Sequence, residues 1–423
     1  MKIKSLEDAV AILNQYVPKV ATYSGDGMTL DRMWPLLEAV GNPQQRLKAI
    51  HIAGTSGKTS TAYYIASMLR QSGNKVGLTV SPHVDSITER VQINGKPISD
   101  EQFCAELGVF LDIISEIKAE PSYFELIIVF VFWFFERAGV EYAVVETGMG
   151  GLLDGTNVLR REDKICVITD IGFDHMHILG NTIKEISTQK AGIIQPGNQV
   201  FMYQQSDEIM QQIHMRIDEM NANLYVYDYA NLLSKADNLT SLPEFQKRNW
   251  LLAEQVTQAV ARRDGFTLDI EEHPEKVIVP GRMDTVRLQD NSVLIMDGAH
   301  NGQKMETFVN SYQVRYSDQK SVVMLALKQG KEYKAVIDAL APITDLIILT
   351  TFSTSQDMPA VSQDTESIRE YCTAQNIDVI VINDNKQATD YLLMKKAKIK
   401  IITGSFYLLG QVRYWLSKKS VIL

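Results

Sequence analysis

At 423 residues the chain is longer than one typical domain, and two domains are expected. Its 45% hydrophobic and 22% charged residues are those of an ordinary globular protein. A formal net charge of -9 excludes a broad basic surface for nucleic acid, while leaving room for a local basic pocket suited to an anionic substrate.

The N-terminal stretch is charged at once, with Lys2, Lys4, Glu7 and Asp8, and carries no secretory signal. Residues 49–53 then read as a strand, 59–72 as a helix stopped by Gly73-Asn74, and 75–80 as the next strand. Residues 126–135 are wholly apolar. A run of that length is too short to cross a bilayer core, which needs about 20 helical residues, and Glu125 and Glu136 bracket it. It reads as a buried core helix. Further strands are expected at 142–146, 165–169 and 199–203, with helices between them, which implies a mainly parallel, doubly wound sheet. Three cysteines, Cys104, Cys166 and Cys372, lie far apart without metal-ligand spacing and read as reduced, buried thiols of a cytoplasmic protein.

Val279-Pro280-Gly281-Arg282 interrupts the pattern, and the alternation then restarts. Strands are expected at 293–296, 321–327, 346–351, 379–382 and 399–403, with helical segments such as 333–340 between them. The chain is therefore divided into residues 1–280 and 281–423, both α/β, with no internal repeat.

The strongest local signal is His51-Ile52-Ala53-Gly54-Thr55-Ser56-Gly57-Lys58-Thr59-Ser60, a strand entering a glycine turn and then a helix. Backbone N–H groups in such a turn, backed by the helix N-terminus, cradle phosphate oxygens. Lys58 supplies a positive charge for the terminal phosphates, and Thr59 a hydroxyl for phosphate or metal. Only Thr55 and Ser56 separate the two glycines, whereas the common phosphate loop has four residues there. The loop by itself indicates a nucleotide, not a reaction.

The short loop resembles that of the Mur ligase superfamily, and later motifs resemble its folylpolyglutamate synthase/dihydrofolate synthase branch. They are Ser81-Pro82-His83 with Thr88-Glu89-Arg90-Val91, and Glu146-Thr147-Gly148-Met149-Gly150-Gly151 with Leu153-Asp154 and Thr156-Asn157. Asp174-His175, Leu179-Gly180 and Lys190-Ala191-Gly192-Ile193 follow, then Pro280-Gly281-Arg282, Asp297-Gly298-Ala299-His300-Asn301 and Gly404-Ser405-Phe406-Tyr407-Leu408. Agreement in order over most of the chain is far more specific than any one motif. The resemblance implies an N-terminal P-loop ATPase domain with a mainly parallel sheet and a smaller C-terminal Rossmann-like domain. It implies ATP and Mg2+ as cofactors, folate or dihydropteroate and L-glutamate as substrates, and a cytoplasmic monomer without nucleic-acid or membrane partners.

The implied reaction forms an acyl-phosphate on a substrate carboxylate, which the amino acid's nitrogen then attacks. By resemblance, Ser81, Glu146 and His175 hold magnesium, and Lys190 matches a lysine that is carbamylated to help hold a second ion. Gly54, Thr55, Ser56, Gly57, Lys58, Thr59 and Ser60 take the phosphates, and Asn249 the adenine. Arg282 reaches phosphates on domain closure, and Asp297 and His300 face the ribose and neighbouring phosphates. Lys58, Lys190 and His175 are the implied catalytic group. On the folate side stand Asp26, Gly27, Met28, Arg32, Tyr123, Phe124, Leu153 and Asp154, although Tyr123 and Phe124 also begin the apolar run and fit a plain core.

The sequence departs from the branch at Ser56, Thr59 and Ser60, at Leu152 and Gly155 (usually Arg and Ala), and across Leu327-Lys328-Gln329-Gly330-Lys331-Glu332. Two other readings follow: a Mur-type ligase acting on another carboxylate, and a non-catalytic ATP-binding module. The folate-branch motifs disfavour the first. Glu146, His175 and Lys190 together disfavour the second, because a binder needs no acyl-phosphate apparatus.

Overall fold

The β-branched runs of the first block become buried strands because helices cover both faces of their sheet. The computed structural model describes residues 2–18, 29–234, 236, 239, 242–270, 274–317, 319–354, 356 and 359–417. The first sheet contains β1 (Lys48–Ala53), β2 (Val76–Thr79), β3 (Gln92–Ile93), β4 (Lys96–Pro97), β5 (Tyr142–Glu146), β6 (Ile165–Ile168), β7 (Gln199–Tyr203) and β8 (Asn223–Tyr227). Their order is β4-β3-β2-β5-β1-β6-β7-β8; the β4–β3 and β3–β2 pairs at one edge are antiparallel and the remaining pairs parallel. Ile52 lies opposite Glu146, and Ala53 opposite Ile168, so β5, β1 and β6 end level. The chain leaves β1 toward β2 on one side and β6 toward β7 on the other. That reversal opens a crevice beyond their carboxyl ends, where ligands of such sheets bind.

The apolar run forms the helix Tyr123–Arg137, started by a capping box between Ser122 and Glu125. Leu126 to Phe135 are all buried, and Phe130 meets Phe103 and Phe110 edge-on with ring centroids 5.4 Å apart in each pair. The expected core helix is present, and no helix among the described residues is long and apolar enough to cross a membrane. All three cysteines are buried and free.

The second sheet contains β9 (Asp284–Arg287), β10 (Val293–Asp297), β11 (Ser321–Leu325), β12 (Thr344–Leu349), β15 (Val379–Val381) and β16 (Ile399–Thr403); between β12 and β15, β13 (Ser353–Thr354) and β14 (Ala360–Val361) form a separate ribbon. Its order is β15-β12-β11-β16-β10-β9, parallel except for β9. Alternate residues feed two cores: Ile295, Val323 and Ile401 enter one, and Leu294, Met324 and Ile402 the other.

The chain divides into a first compact unit ending at Val277 and a second beginning at Ile278, close to the break read near residue 281. The segment His83–Ser86 and residue Phe245 belong to the second unit despite their place in the chain. Val84 joins that unit's core, and Arg413 pairs with both Asp85 and Asp284. The strands β8 and β9 escape the sequence reading. β9 is half-buried and has no apolar run; β8 does carry one, Leu224-Tyr225-Val226-Tyr227, although it lies largely exposed at the edge of the sheet.

His51 sits in the middle of β1, wholly buried. Its Nε2 lies 2.8 Å from Thr156 Oγ1, whose own proton goes to Asp154 Oδ1. Nε2 must therefore be the donor, while Nδ1 is buried without a hydrogen-bond partner among the described residues, which disfavours a second proton there. Burial, assisted by the nearby Lys164 charge, holds His51 well below the usual histidine range.

Two stability predictions follow. Phe130→Ala should lower unfolding free energy by about 3–5 kcal/mol, read from urea transitions; a loss below about 1 kcal/mol would contradict the packing described. For His51 the unfolded ring takes up a proton near pH 6.5 and the folded ring only at lower pH. Its contribution is thus complete above about pH 6.5 and lost as pH falls, by up to about 1.4 kcal/mol per pH unit. His51→Gln should flatten the decline between pH 6.5 and 5 relative to wild type, whereas an identical slope would show that His51 does not cause it.

Candidate active site

At the carboxyl end of β1 the backbone turns so tightly that only glycine fits. Gly54 has φ +151°, and a Cβ there would fall 1.9 Å from Thr169 Oγ1; Gly57 has φ +91°, and its Cβ would fall 2.4 Å from Asn249 Oδ1. The N–H groups of Thr55 and Ser56 donate to the Asp170 carbonyl at 2.8 and 3.2 Å. Thr55 Oγ1 donates to the Gly172 carbonyl at 2.9 Å and accepts the Gly172 N–H at 3.1 Å. The loop is thereby stitched to the segment leaving β6. Lys58, Thr59 and Ser60 open the helix Lys58–Gln71, where first-turn N–H groups lack intrahelical acceptors and face an anion favourably.

Two lysines converge on one oxygen. Lys58 Nζ donates to the Gly54 carbonyl at 3.1 Å, and Lys190 Nζ to the same carbonyl at 2.8 Å. Lys190 is buried in the last turn of the helix Ile183–Ala191. The glycine-rich loop after β5 docks on the end of that helix: Leu152 N–H donates to the Gln189 carbonyl at 2.8 Å, and Asn157 Nδ2 to the Gly192 carbonyl at 3.0 Å. Two motifs about forty residues apart in sequence thus form one wall.

Glu146, buried at the end of β5, accepts Thr59 Oγ1–H at 2.9 Å and the Ser81 N–H at 3.3 Å. A cleft lined by Thr79, Ser81, Arg90, Phe124, Ile127 and Glu146 lies beside it. His175 has φ +50° and starts the short helix Met176–Leu179 in the segment beyond Gly172. Its Nε2 lies 3.9 Å from Asp174 Oδ1, and its ring 6.3 Å from that of His177. Among the described residues no cluster of three or more His, Cys, Asp or Glu side chains forms a ready-made metal cage.

The residues expected on the folate side divide sharply. Asp26, Gly27 and Met28 lie outside the described residues. Arg32 grips Glu125 with two hydrogen bonds of 3.0 and 2.7 Å. Tyr123 is buried, with Arg90 over its ring at 5.6 Å. Phe124 and the Asp154 carboxylate both crowd Gly148, where a Cβ would meet them at 2.6 and 3.1 Å. Burial pushes Asp154 up, while Thr156, the Met149 N–H and the Lys58 charge oppose the rise. Leu153 is half-buried beside it. Leu152 fills the space over Gly192, and Gly155 leaves room for Met33 Sδ.

In the second unit, Asp297 ends β10 and accepts the N–H groups of Met283 and Ala299, each at 2.8 Å. Burial raises its pKa against the pull of Arg282, whose guanidinium lies 4.4 Å from the Phe406 ring centre. His300 Nδ1 donates to the Gly298 carbonyl at 2.7 Å, leaving Nε2 to accept from Lys304 Nζ at 3.1 Å.

Sequence reading placed Thr156 in a motif without seeing that it fixes Asp154, and missed Thr169 and Asp170, which fix the phosphate loop. Thr169 and Asp170 carry no motif that marks a brace; the contact alone reveals it.

Residues 52–251 match the Mur ligase middle domain, and residues 282–416 the dihydrofolate synthetase C-terminal domain. The chain is 30% identical to the dihydrofolate synthase/folylpolyglutamate synthase of Bacillus subtilis, over 91% of this chain and 94% of that one. It is 29% identical to the dihydrofolate synthetase of Saccharomyces cerevisiae, over 90% and 96%. In fold it is similar to Mycobacterium tuberculosis folylpolyglutamate synthase complexed with ADP and AMPPCP, with TM-score 0.79, 24% identity and 98% of each chain covered. Escherichia coli FolC in complex with DHPP and ADP gives TM-score 0.80 at 20% identity, covering 99% of each chain. Phosphate loop, acidic β5 end and Lys190 wall occur in one unit, and the relatedness extends over nearly the whole length; the chain belongs to the dihydrofolate synthase/folylpolyglutamate synthase family of Mur-type, ATP-dependent ligases.

Proposed function

We propose that the chain joins L-glutamate to a folate-type acid, with tetrahydrofolate and dihydropteroate as acceptors. The observation that carries this reading is the placement of Glu146 and Lys190 on opposite sides of the phosphate loop, one bonded to Thr59 and the other to the Gly54 carbonyl. Glu146 alone would suit any magnesium-nucleotide site, whereas the buried Lys190 beside the loop and the relatedness over nearly the whole length to a dihydrofolate synthase/folylpolyglutamate synthase favour the ligase.

The γ-phosphoryl group of ATP passes to the acceptor carboxylate, releasing ADP. The amine of glutamate attacks the resulting acyl-phosphate, loses a proton and expels inorganic phosphate. First-turn N–H groups at residues 58–60 and the Lys58 ammonium stabilise charge spread over the transferring oxygens. Phe124 stacks on the acceptor's heterocycle, and Asp154, whose oxygens are taken by Thr156 and the Met149 N–H, fixes the glycine-rich loop beside it. Arg282, Asp297 and His300 of the second unit belong to the same proposal, on the resemblance of their motifs.

The residues present fit magnesium. Glu146 offers a buried carboxylate beside the Thr59 hydroxyl, and Ser56 Oγ and Thr147 Oγ1 are buried without a hydrogen-bond partner among the described residues. These are hard oxygen donors, and the mixture leaves positions for phosphate and water, as magnesium prefers. Glu146 and Ser81, with His175 and a carbamylated Lys190, would hold it. When bound it would neutralise phosphate charge and orient the acceptor carboxylate. The same reading places a monomer in the cytoplasm.

Glutamate-dependent phosphate release from ATP, followed with each acceptor, tests the reading directly: release without glutamate, or none with either acceptor, would contradict it. Lys190→Ala and Glu146→Gln should each lower that turnover by about 100-fold or more, the scale on which single groups stabilising a transition state act. Unchanged turnover in Lys190→Ala would remove Lys190 from the mechanism.

A further inference from the structure

We infer that Arg248 is a positioning residue of the nucleotide site, acting through Asp170 on the phosphate loop; the inference rests on that loop binding nucleotide. Arg248 is 78 residues from Asp170 in sequence yet meets its carboxylate with Nε at 3.2 and 3.0 Å and Nη2 at 2.8 Å. The guanidinium is also flanked by two rings, with Tyr203 at 4.2 Å and Tyr229 at 5.2 Å from their centres. Tyr203 closes the assembly by donating its hydroxyl to the Arg248 carbonyl at 2.9 Å. A charged fork held by a carboxylate and two aromatic faces is a rigid strut, because the planar group loses little freedom for each bond it forms.

The strut acts on the loop through one atom. The Asp170 carbonyl takes the N–H groups of both Thr55 and Ser56. Those two amides are thereby turned away from the phosphate side, and the amides of residues 58–60 are left to meet the ligand. Gln205 braces the same segment, accepting the Ile171 N–H at 2.8 Å and donating to the Thr169 carbonyl at 3.3 Å. Asn249, next to Arg248 on the helix Glu244–Asp264, presses its Oδ1 against Gly57. Fixing Arg248 therefore fixes both ends of the turn: Asp170 holds Thr55 and Ser56, and Asn249 bounds Gly57. Without the fork, Asp170 can swing and the loop amides lose their fixed aim.

The test is binding of the non-hydrolysable nucleotide AMPPCP with magnesium to the full chain by calorimetry, which needs no acceptor, alongside steady-state kinetics. Arg248→Met should weaken nucleotide binding and raise KM for ATP by about tenfold, the effect of one charged hydrogen-bonding group. KM for acceptor and glutamate should stay within about twofold, since neither touches this brace. Arg248→Lys should fall between, keeping charge but not the fork. Asp170→Asn should match Arg248→Met, and the double variant should be no worse than either single one. Should Arg248→Met fail to fold, Asp170→Asn carries the same test. Wild-type-like nucleotide affinity in both variants, parallel shifts of all three KM values, or multiplicative losses in the double variant would overturn the inference. Absence of nucleotide binding to wild type would overturn the nucleotide reading itself and this inference with it.

Discussion

Close approach of backbone to side chain at Gly54 and Gly57 is the constraint on which the candidate site depends. Thr169 Oγ1 and Asn249 Oδ1 occupy the positions where Cβ atoms would stand, so the loop is held between the exit of β6 and a helix from much later in the chain. That confinement aims the start of the Lys58–Gln71 helix at one place beyond the sheet. It also brings the Lys58 and Lys190 Nζ atoms to a single carbonyl oxygen, so both side chains end at the start of the phosphate loop.

Burial then sorts the polar groups around the loop. Glu146 is satisfied by Thr59 and Ser81 on the phosphate side. Asp154 is satisfied by Thr156 and the Met149 N–H, and through Thr156 it reaches His51 on β1. A buried carboxylate with several donors keeps one orientation, because any rotation would leave a polar atom unpaired in a medium that penalises it. The two acids thus hold different parts: Glu146 fixes Thr59 and the Ser81 N–H at the end of β5, and Asp154 lies with Phe124 against Gly148.

Much of this was legible in the sequence. The strand–glycine–helix signature located the loop, and short apolar runs located β5, β6 and β7 because both faces of those strands are buried. The apolar run fixed its own helix. What stayed hidden depends on contacts between distant residues. Arg32 and Glu125 are 93 positions apart, and nothing in either neighbourhood announces their pairing. Asp170 looks like an ordinary loop residue until its carbonyl is seen to hold two loop amides. His83–Ser86 follows a first-unit strand directly yet contributes Val84 to the second unit's core, a choice made by packing rather than by local pattern.

Amide formation between glutamate and a folate-type carboxylate is the reaction to be tested. Mass analysis of the products formed by the purified full chain with ATP, magnesium and glutamate, offered dihydropteroate and tetrahydrofolate separately, addresses it most directly. The expected product is an acceptor heavier by one glutamyl residue, formed only when ATP and glutamate are both present. Unaltered acceptors alongside a carboxylate of another class that gains an amino acid would contradict it.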